Sequence, residues 1–251
     1  KRNSLSLIEE KNLKDYIEKK KLIYIATPFS YKAAKWLNDN NVKIFKIGSG
    51  ECNNIPFIKY VCSFKKPMII STGMNSLGTV KKTVSIVNNN KIPHALLHCV
   101  NLYPVDYKYL RLNRLNKMIR IFKSSIIGYS DHSIGNTIPI AALALGAKII
   151  EKHFVIDKNK KGPDTICSMD KTELKNLLIS SNKIYEAFKS DKEIISEENI
   201  TRKFAFHSVV SKKDINKNEI LSWENLTTKR PGSGDFPSYK IYSLIGKKTK
   251  K

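Results

Sequence analysis

Six short apolar runs recur along the chain: LIYIATPF (22–29), KIFKIGSG (43–50), PMIISTG (67–73), HALLHCV (94–100), SIIGYSDH (125–132) and KIIEKHF (148–154). Most are rich in Ile and Val, and each has the length of a buried strand. Between them the apolar positions change to helical spacing. Ala33, Ala34 and Leu37 follow the first run, and Val80, Val84 and Val87 follow the third. Leu115, Ile119 and Phe122 follow the fourth, and an Ala-rich turn at 141–145 follows the fifth. The runs start near residues 22, 43, 67, 94, 125 and 148, a period of 21 to 31 residues. Strands alternating with helices at that period predict right-handed β–α–β units and a parallel sheet.

A longer helix is predicted over 171–189, with Asp170 and Glu173 at its N-cap and N3 positions. Leu174, Leu177, Leu178, Tyr185 and Phe188 form its apolar stripe. The charged link SDKEIISEENITRK follows, and then short alternating runs with turns and no long helix. This change of texture predicts a boundary near 190–200 and a small β-rich module after it.

Every strand ends in polar or special residues. They are Thr27-Pro28, Ser49-Gly50-Glu51, Ser71-Thr72-Gly73, His98-Cys99 with Asn101 just beyond, Ser130-Asp131-His132, and Glu151 with His153. An open doubly wound sheet gathers its ligand groups at one switch point, commonly beside a Gly-rich phosphate turn, and no such turn is present. An even spread over the C-terminal strand ends is the pattern of a (β/α)8 barrel rim. Lys46 stands apart within IFKIGSG, because an inward Lys on an apolar strand is costly without an anion.

Composition narrows the class. A hydrophobic fraction of 41% supports a real core, and no run reaches the ~18 residues of a membrane span. The four cysteines show no paired spacing, so free thiols in a reducing cytoplasm are expected. The formal charge of +23 admits a nucleic-acid or anionic partner, yet the lysines are dispersed and no nucleic-acid motif accompanies them.

Six strands do not make eight, and here the motifs carry a resemblance. TPFS, KIGSGECNN, STGMNS, the LLHC…NLYP segment, GYSDHS, EKHF, the GPD…CSM segment and KRPGSGDFP occur in one order. Over about residues 10 to 247 the chain resembles the sialic acid synthase family, which condenses phosphoenolpyruvate with N-acetylmannosamine or a related sugar. The resemblance implies a (β/α)8 TIM barrel followed by an antifreeze-like (SAF) domain. Accordingly, a partial barrel is expected over 1–195, lacking its first two strands, and a C-terminally clipped SAF domain over 200–251.

The resemblance also implies roles. His132 and His153 would bind a divalent cation, Mn2+ first, with Mg2+ or Co2+ possible. Thr27, Lys46 and Ser49 would hold the phosphate of phosphoenolpyruvate, and Ser71, Asn101 and Ser130 its carboxylate. Taken singly, each Ser or Thr reads equally as a strand-end cap. Glu51 would assist proton transfer or orient water, the alternative being support of the metal or sugar. Tyr103 and Asp164 would contact sugar hydroxyls, although Asp164 also reads as a turn residue after Pro163. Alternation puts Glu151 on the face of His153, with Lys152 turned away. Arg230, in a turn held by Pro231, Gly232 and Gly234, would reach the sugar's N-acyl group across a domain-swapped homodimer; otherwise it is a surface Arg. His94, His98 and His207 receive no role, and Trp36 and Trp223 are read as packing residues. The expected protein is cytoplasmic, with neither nucleic acid nor membrane as partner. Alternatives are a legionaminic or pseudaminic acid synthase of the same family, or an inactive basic fragment that binds nucleic acid.

Overall fold

The computed structural model describes residues 5–250. The chain divides into two units, with the break between Ala187 and Phe188. The first unit runs α1 (Leu7–Lys19), β1 (Ile25–Ala26), α2 (Tyr31–Asp39), β2 (Ile44–Ile47), α3 (Ile55–Cys62), β3 (Met68–Ser71), α4 (Leu77–Asn89) and β4 (His94–Cys99). It continues with α5 (Asn113–Ile121), β5 (Ile126–Asp131), α6 (Thr137–Ala144), β6 (Ile150–Lys152) and α7 (Lys171–Ala187). All six strands are parallel, and each pairs with the next in sequence. The result is a half-barrel of the TIM-barrel type, with helices on its outer face.

Period-two alternation decides what each strand offers to which side. In β2, Phe45 and Ile47 enter the wholly buried core, which also holds Leu37, Phe57, Val61, Val80 and Leu115 from the helices. Lys46, between them, points to the other face, which is the barrel interior. At the outer face of β5 and β6, Asp131 and Lys152 are direct register partners. Their side chains are fully buried, with Lys152 Nζ 2.5 Å from Asp131 Oδ2 and 2.6 Å from the Ser133 carbonyl. Lys152 does turn away from His153, and this buried pair pins the β5–β6 register that sets the residues between on the opposite face.

The capping box predicted for α7 is present: Glu173 N–H donates to Asp170 Oδ1 at 2.8 Å, and Asp170 N–H donates to Glu173 Oε2 at 3.1 Å. Its stripe is only partly covered. Leu177 is buried and Leu178 and Tyr185 are exposed, because α7 packs chiefly on α6 and runs past it. Trp36 packs against the core, whereas Trp223 is half-exposed, its ring edge-on to Tyr242. All four cysteines are free and buried. Among the described residues, no helix is long and apolar enough to cross a membrane.

On the outer face of β4, His98 is 1% exposed and meets the Leu110 carbonyl through Nε2 at 3.0 Å. A carbonyl only accepts, so Nε2 carries the proton, and buried Nδ1 has no partner. Burial, abetted by Arg114 and Arg111, holds its pKa down from 6.5 to about 4. Between those values the unfolded chain takes up the proton and the folded one does not. Stability from this residue is therefore intact above 6.5 and lost as pH falls toward 4. The expected loss is about 3 kcal/mol across the window. Urea midpoints taken across it should slope less in His98→Gln than in the parent chain, and an unchanged slope would rule this account out.

The second unit contains α8 (Asn199–Ala205), an antiparallel pair β7 (Ser208–Ser211) and β8 (Leu226–Lys229), and α9 (Ile241–Leu244). Its 230–236 loop is tied down internally. Ser208 Oγ donates to the Pro231 carbonyl at 2.8 Å and accepts from Gly234 N–H at 2.9 Å. Gly232 N–H donates to the Lys203 carbonyl at 2.8 Å, and a Cβ on Gly232 would lie 2.5 Å from that of Phe206. Arg230, at the start of this loop, is exposed.

Candidate active site

The interior face of the half-barrel carries polar groups at its C-terminal strand ends, around a cavity of about 350 Å³. Lys46 Nζ, on β2, donates to Ser71 Oγ on β3 at 2.8 Å. It also lies 3.3 Å from Glu151 Oε2, which reaches over from β6. The other Glu151 oxygen accepts from Ser130 Oγ at 2.8 Å. Two hydroxyls, one buried cation and one half-exposed carboxylate therefore form a single chain across the basin.

A second group sits beside it. Ser49 Oγ accepts from Gly73 N–H at 3.1 Å and lies 3.2 Å from Cys99 Sγ. Asn75 Nδ2 donates to the carbonyls of Ser49 and Gly73, at 2.8 and 2.7 Å, joining the ends of β2 and β3. Arg114, from α5, holds the Asn75 carbonyl in turn at 2.5 Å. Gly73 must lack a side chain, since a Cβ there would lie 1.8 Å from Asn101 Oδ1 and 2.9 Å from Ser49 Oγ.

The third group is aromatic. His132 Nδ1 meets the Val100 carbonyl at 2.7 Å, so Nδ1 carries the proton and Nε2 keeps its lone pair. Burial lowers the pKa of His132, against the Val100 contact that raises it, and neighbouring His153 lowers it further. The two imidazole centroids lie 5.5 Å apart, and the Tyr103 ring is 4.0 Å from that of His132. After β6 the chain runs out through a loop and returns to pair Phe154 with Met169, where Met169 N–H donates to the His153 carbonyl at 2.8 Å. That return brings Asp164 Oδ2 to 3.7 Å from His153 Nδ1. Among the described residues, no group of three or more His, Cys, Asp and Glu is arranged to hold a metal ion.

Of the residues singled out from sequence, Thr27, Lys46, Ser49, Ser71, Asn101 and Ser130 line the basin together with Tyr103, His132 and His153. Asp164 is not in the lining; it lies 3.7 Å from His153 Nδ1. Glu51 is not in the lining either; its Oε2 accepts from Asn54 Nδ2 at 2.9 Å, at the entry to α3. The reason is local. Ser49–Glu51 form a tight three-residue turn, which rotates Glu51 off the face of Ser49 instead of returning it as strand alternation would. Arg230 lies in the second unit. Asn75 and Arg114 were not anticipated; a polar Asn just after STG was the one available signal for the first.

Comparison with known proteins places this arrangement. The NeuB family model matches residues 1–193, and the SAF domain model matches 206–251. The chain belongs to the NeuB family. It is 40% identical over 251 residues to the N,N'-diacetyllegionaminic acid synthase of Campylobacter jejuni, covering 97% of this chain and 73% of that protein. It is 33% identical over 239 residues to the human N-acetylneuraminate-9-phosphate synthase, covering 95% and 67%. The crystal structure of N-acetylneuraminic acid synthetase from Leptospira borgpetersenii superposes with a TM-score of 0.74 at 32% identity, over 79% of this chain and 70% of that one. The chain is therefore a nonulosonate-synthase relative, with a half-barrel unit and a SAF domain.

Proposed function

We propose that the basin condenses phosphoenolpyruvate with N-acetylmannosamine, giving N-acetylneuraminate and phosphate. The observation that carries this reading is the convergence of one buried cation, Lys46, with the hydroxyls of Ser71 and Ser130 beside the His132–His153 pair. A ligand with both a phosphate and a carboxylate needs a cation and several donors on one face. Lys46, Thr27 and Ser49 are assigned to the phosphate, and Ser71, Asn101 and Ser130 to the carboxylate. Tyr103, its ring 5.7 Å from that of His153, and Asp164, 3.7 Å from His153 Nδ1, are assigned to the sugar. Glu51 keeps a role in proton transfer only if the Ser49–Glu51 turn rearranges on binding.

In the proposed reaction C3 of phosphoenolpyruvate bonds to the aldehyde carbon of the open-chain sugar, water adds at C2, and phosphate departs by C–O cleavage. The chain's own contribution is orientation and charge stabilisation, in general worth about 7–11 kcal/mol for orientation alone. The adjacent imidazoles of His132 and His153 suit a divalent cation, Mn2+ before Mg2+ or Co2+, with open positions for water and substrate. When bound, such an ion would polarise the aldehyde. Buried free thiols suit a reducing compartment, and the proposal places the reaction in the cytoplasm.

The relative at 40% identity favours a second acceptor, the legionaminic acid precursor, on the same chemistry. Competition between N-acetylmannosamine and the legionaminic and pseudaminic precursors for one pool of phosphoenolpyruvate tests the choice. A dominant product other than N-acetylneuraminate would replace the acceptor assignment.

We also propose that Arg230 serves the site of a second copy in a domain-swapped homodimer. Its loop is held rigidly by Ser208, and an Arg fork suits a carbonyl. Mixing His132→Ala and Arg230→Ala chains should then restore activity, because the mixed dimer has one site lacking both groups and one intact site. Demonstrated heterodimers without recovered activity would contradict it.

A further inference from the structure

We propose that Glu151 is an internal stand-in for the ligand's anionic group, so that ligand binding at Lys46 is an exchange of one carboxylate for another. This rests on the reading of the basin as an anion site. It adds a specificity-determining residue that faces the ligand.

The geometry makes the case. β2 and β6 are not neighbours in the sheet order, so the Lys46–Glu151 pair is not a lateral contact between adjacent strands. It spans the basin. One carboxylate oxygen lies 3.3 Å from Lys46 Nζ and the other accepts from Ser130 Oγ at 2.8 Å. These are two of the donors that an incoming carboxylate or phosphate would use. Glu151 therefore already stands where the ligand must sit.

The two partners are unequally anchored. The Lys46 side chain is 11% exposed and that of Glu151 is 42% exposed. A buried ammonium without a counter-ion is costly, so the empty site needs an anion. A half-exposed carboxylate is screened by water and loses little on release, so it yields to a better one. An anion meeting only Lys46 gains no more than it displaces. A ligand that also engages Thr27, Ser49 or Asn101 holds several points at once and wins the exchange. The resident carboxylate thus filters small anions out of the basin.

The test is isothermal titration of the full chain with phosphoenolpyruvate and, separately, with inorganic phosphate. Glu151→Gln removes the charge but keeps the shape and an acceptor for Ser130. Glu151→Asp keeps the charge but, one methylene shorter, no longer reaches Lys46. The exchange predicts that both variants bind phosphoenolpyruvate about five-fold more tightly than the parent chain. Tightening in Glu151→Gln alone would mean that the charge acts at a distance, and would overturn the exchange. Unchanged or weaker binding in both folded variants would overturn it as well. If the parent chain binds phosphoenolpyruvate and the variants bind no better, only this inference fails. If no chain binds either anion, the anion-site reading fails with it.

Discussion

Lys46→Met is expected to weaken phosphoenolpyruvate binding by at least about 30-fold while leaving the half-barrel as stable as before. The two outcomes have different causes. Lys46 is 9% exposed, so its attraction to a bound dianion acts in a poorly solvated site. Removing one member of such a pair costs roughly 2–5 kcal/mol, about 30-fold to several thousand-fold in affinity. In the empty protein the balance differs. The only carboxylate within ion-pair distance of Lys46 is the half-exposed Glu151, among the described residues, and a buried ammonium carries its own desolvation cost. Replacing it with an apolar chain of similar length leaves behind only a half-exposed carboxylate that water can solvate, not a buried unpaired charge, so the stability cost is small. Ser71 loses a donor but remains beside the cavity. Titration calorimetry and a urea midpoint on the same preparation read both quantities. A large fall in stability would mean that Lys46 is a structural residue and not the anchor of an anion.

His132→Ala is expected to lower condensation by roughly 10²–10³-fold, the range for losing one group that stabilises developing charge. It should also abolish saturable Mn2+ binding measured directly by calorimetry. His132 is buried, its Nδ1 proton is committed to the Val100 carbonyl, and burial keeps the ring neutral. Only Nε2 is left to act. His153→Ala should show the same pair of effects. The two ring centroids lie 5.5 Å apart, close enough for both imidazoles to serve one ion. Full turnover in a metal-stripped double variant would remove the cation from the account.

Much of this site was legible because strand alternation is a rigid rule. A single Lys between Phe45 and Ile47 could only face inward, and Glu151 could only share the face of His153. The six strands were readable as short apolar runs of strand length, although the first proved to be two residues, Ile25–Ala26, and not the whole apolar run. Where alternation gives way to turns the sequence says less. Glu51, expected to assist proton transfer or orient water, meets Asn54 in the tight Ser49–Glu51 turn and does not line the basin. Helices α1 and α3 were not anticipated. Exposed Leu7, Ile8, Leu13 and Tyr16 show that α1 lacks a clean apolar stripe, and its capping box, Ser6 with Glu9, was the better signal. In α3 the sequence IPFIKYVC is apolar nearly all round, so its period says nothing; Asn54 as cap, with Pro in the first turn, marked its start. The Lys152–Asp131 pair needed the register between two strands, which neither strand states alone.

The central claim is that this chain joins phosphoenolpyruvate to an amino-sugar aldehyde with loss of phosphate. The most direct measurement supplies phosphoenolpyruvate bearing a heavy oxygen isotope at the bridging C–O–P position, together with N-acetylmannosamine and Mn2+. Phosphate and sugar acid are then followed together by mass spectrometry. The account predicts one phosphate per sugar acid formed, with the heavy oxygen retained in the phosphate. Unlabelled phosphate, or phosphate released equally well without the sugar, would contradict it.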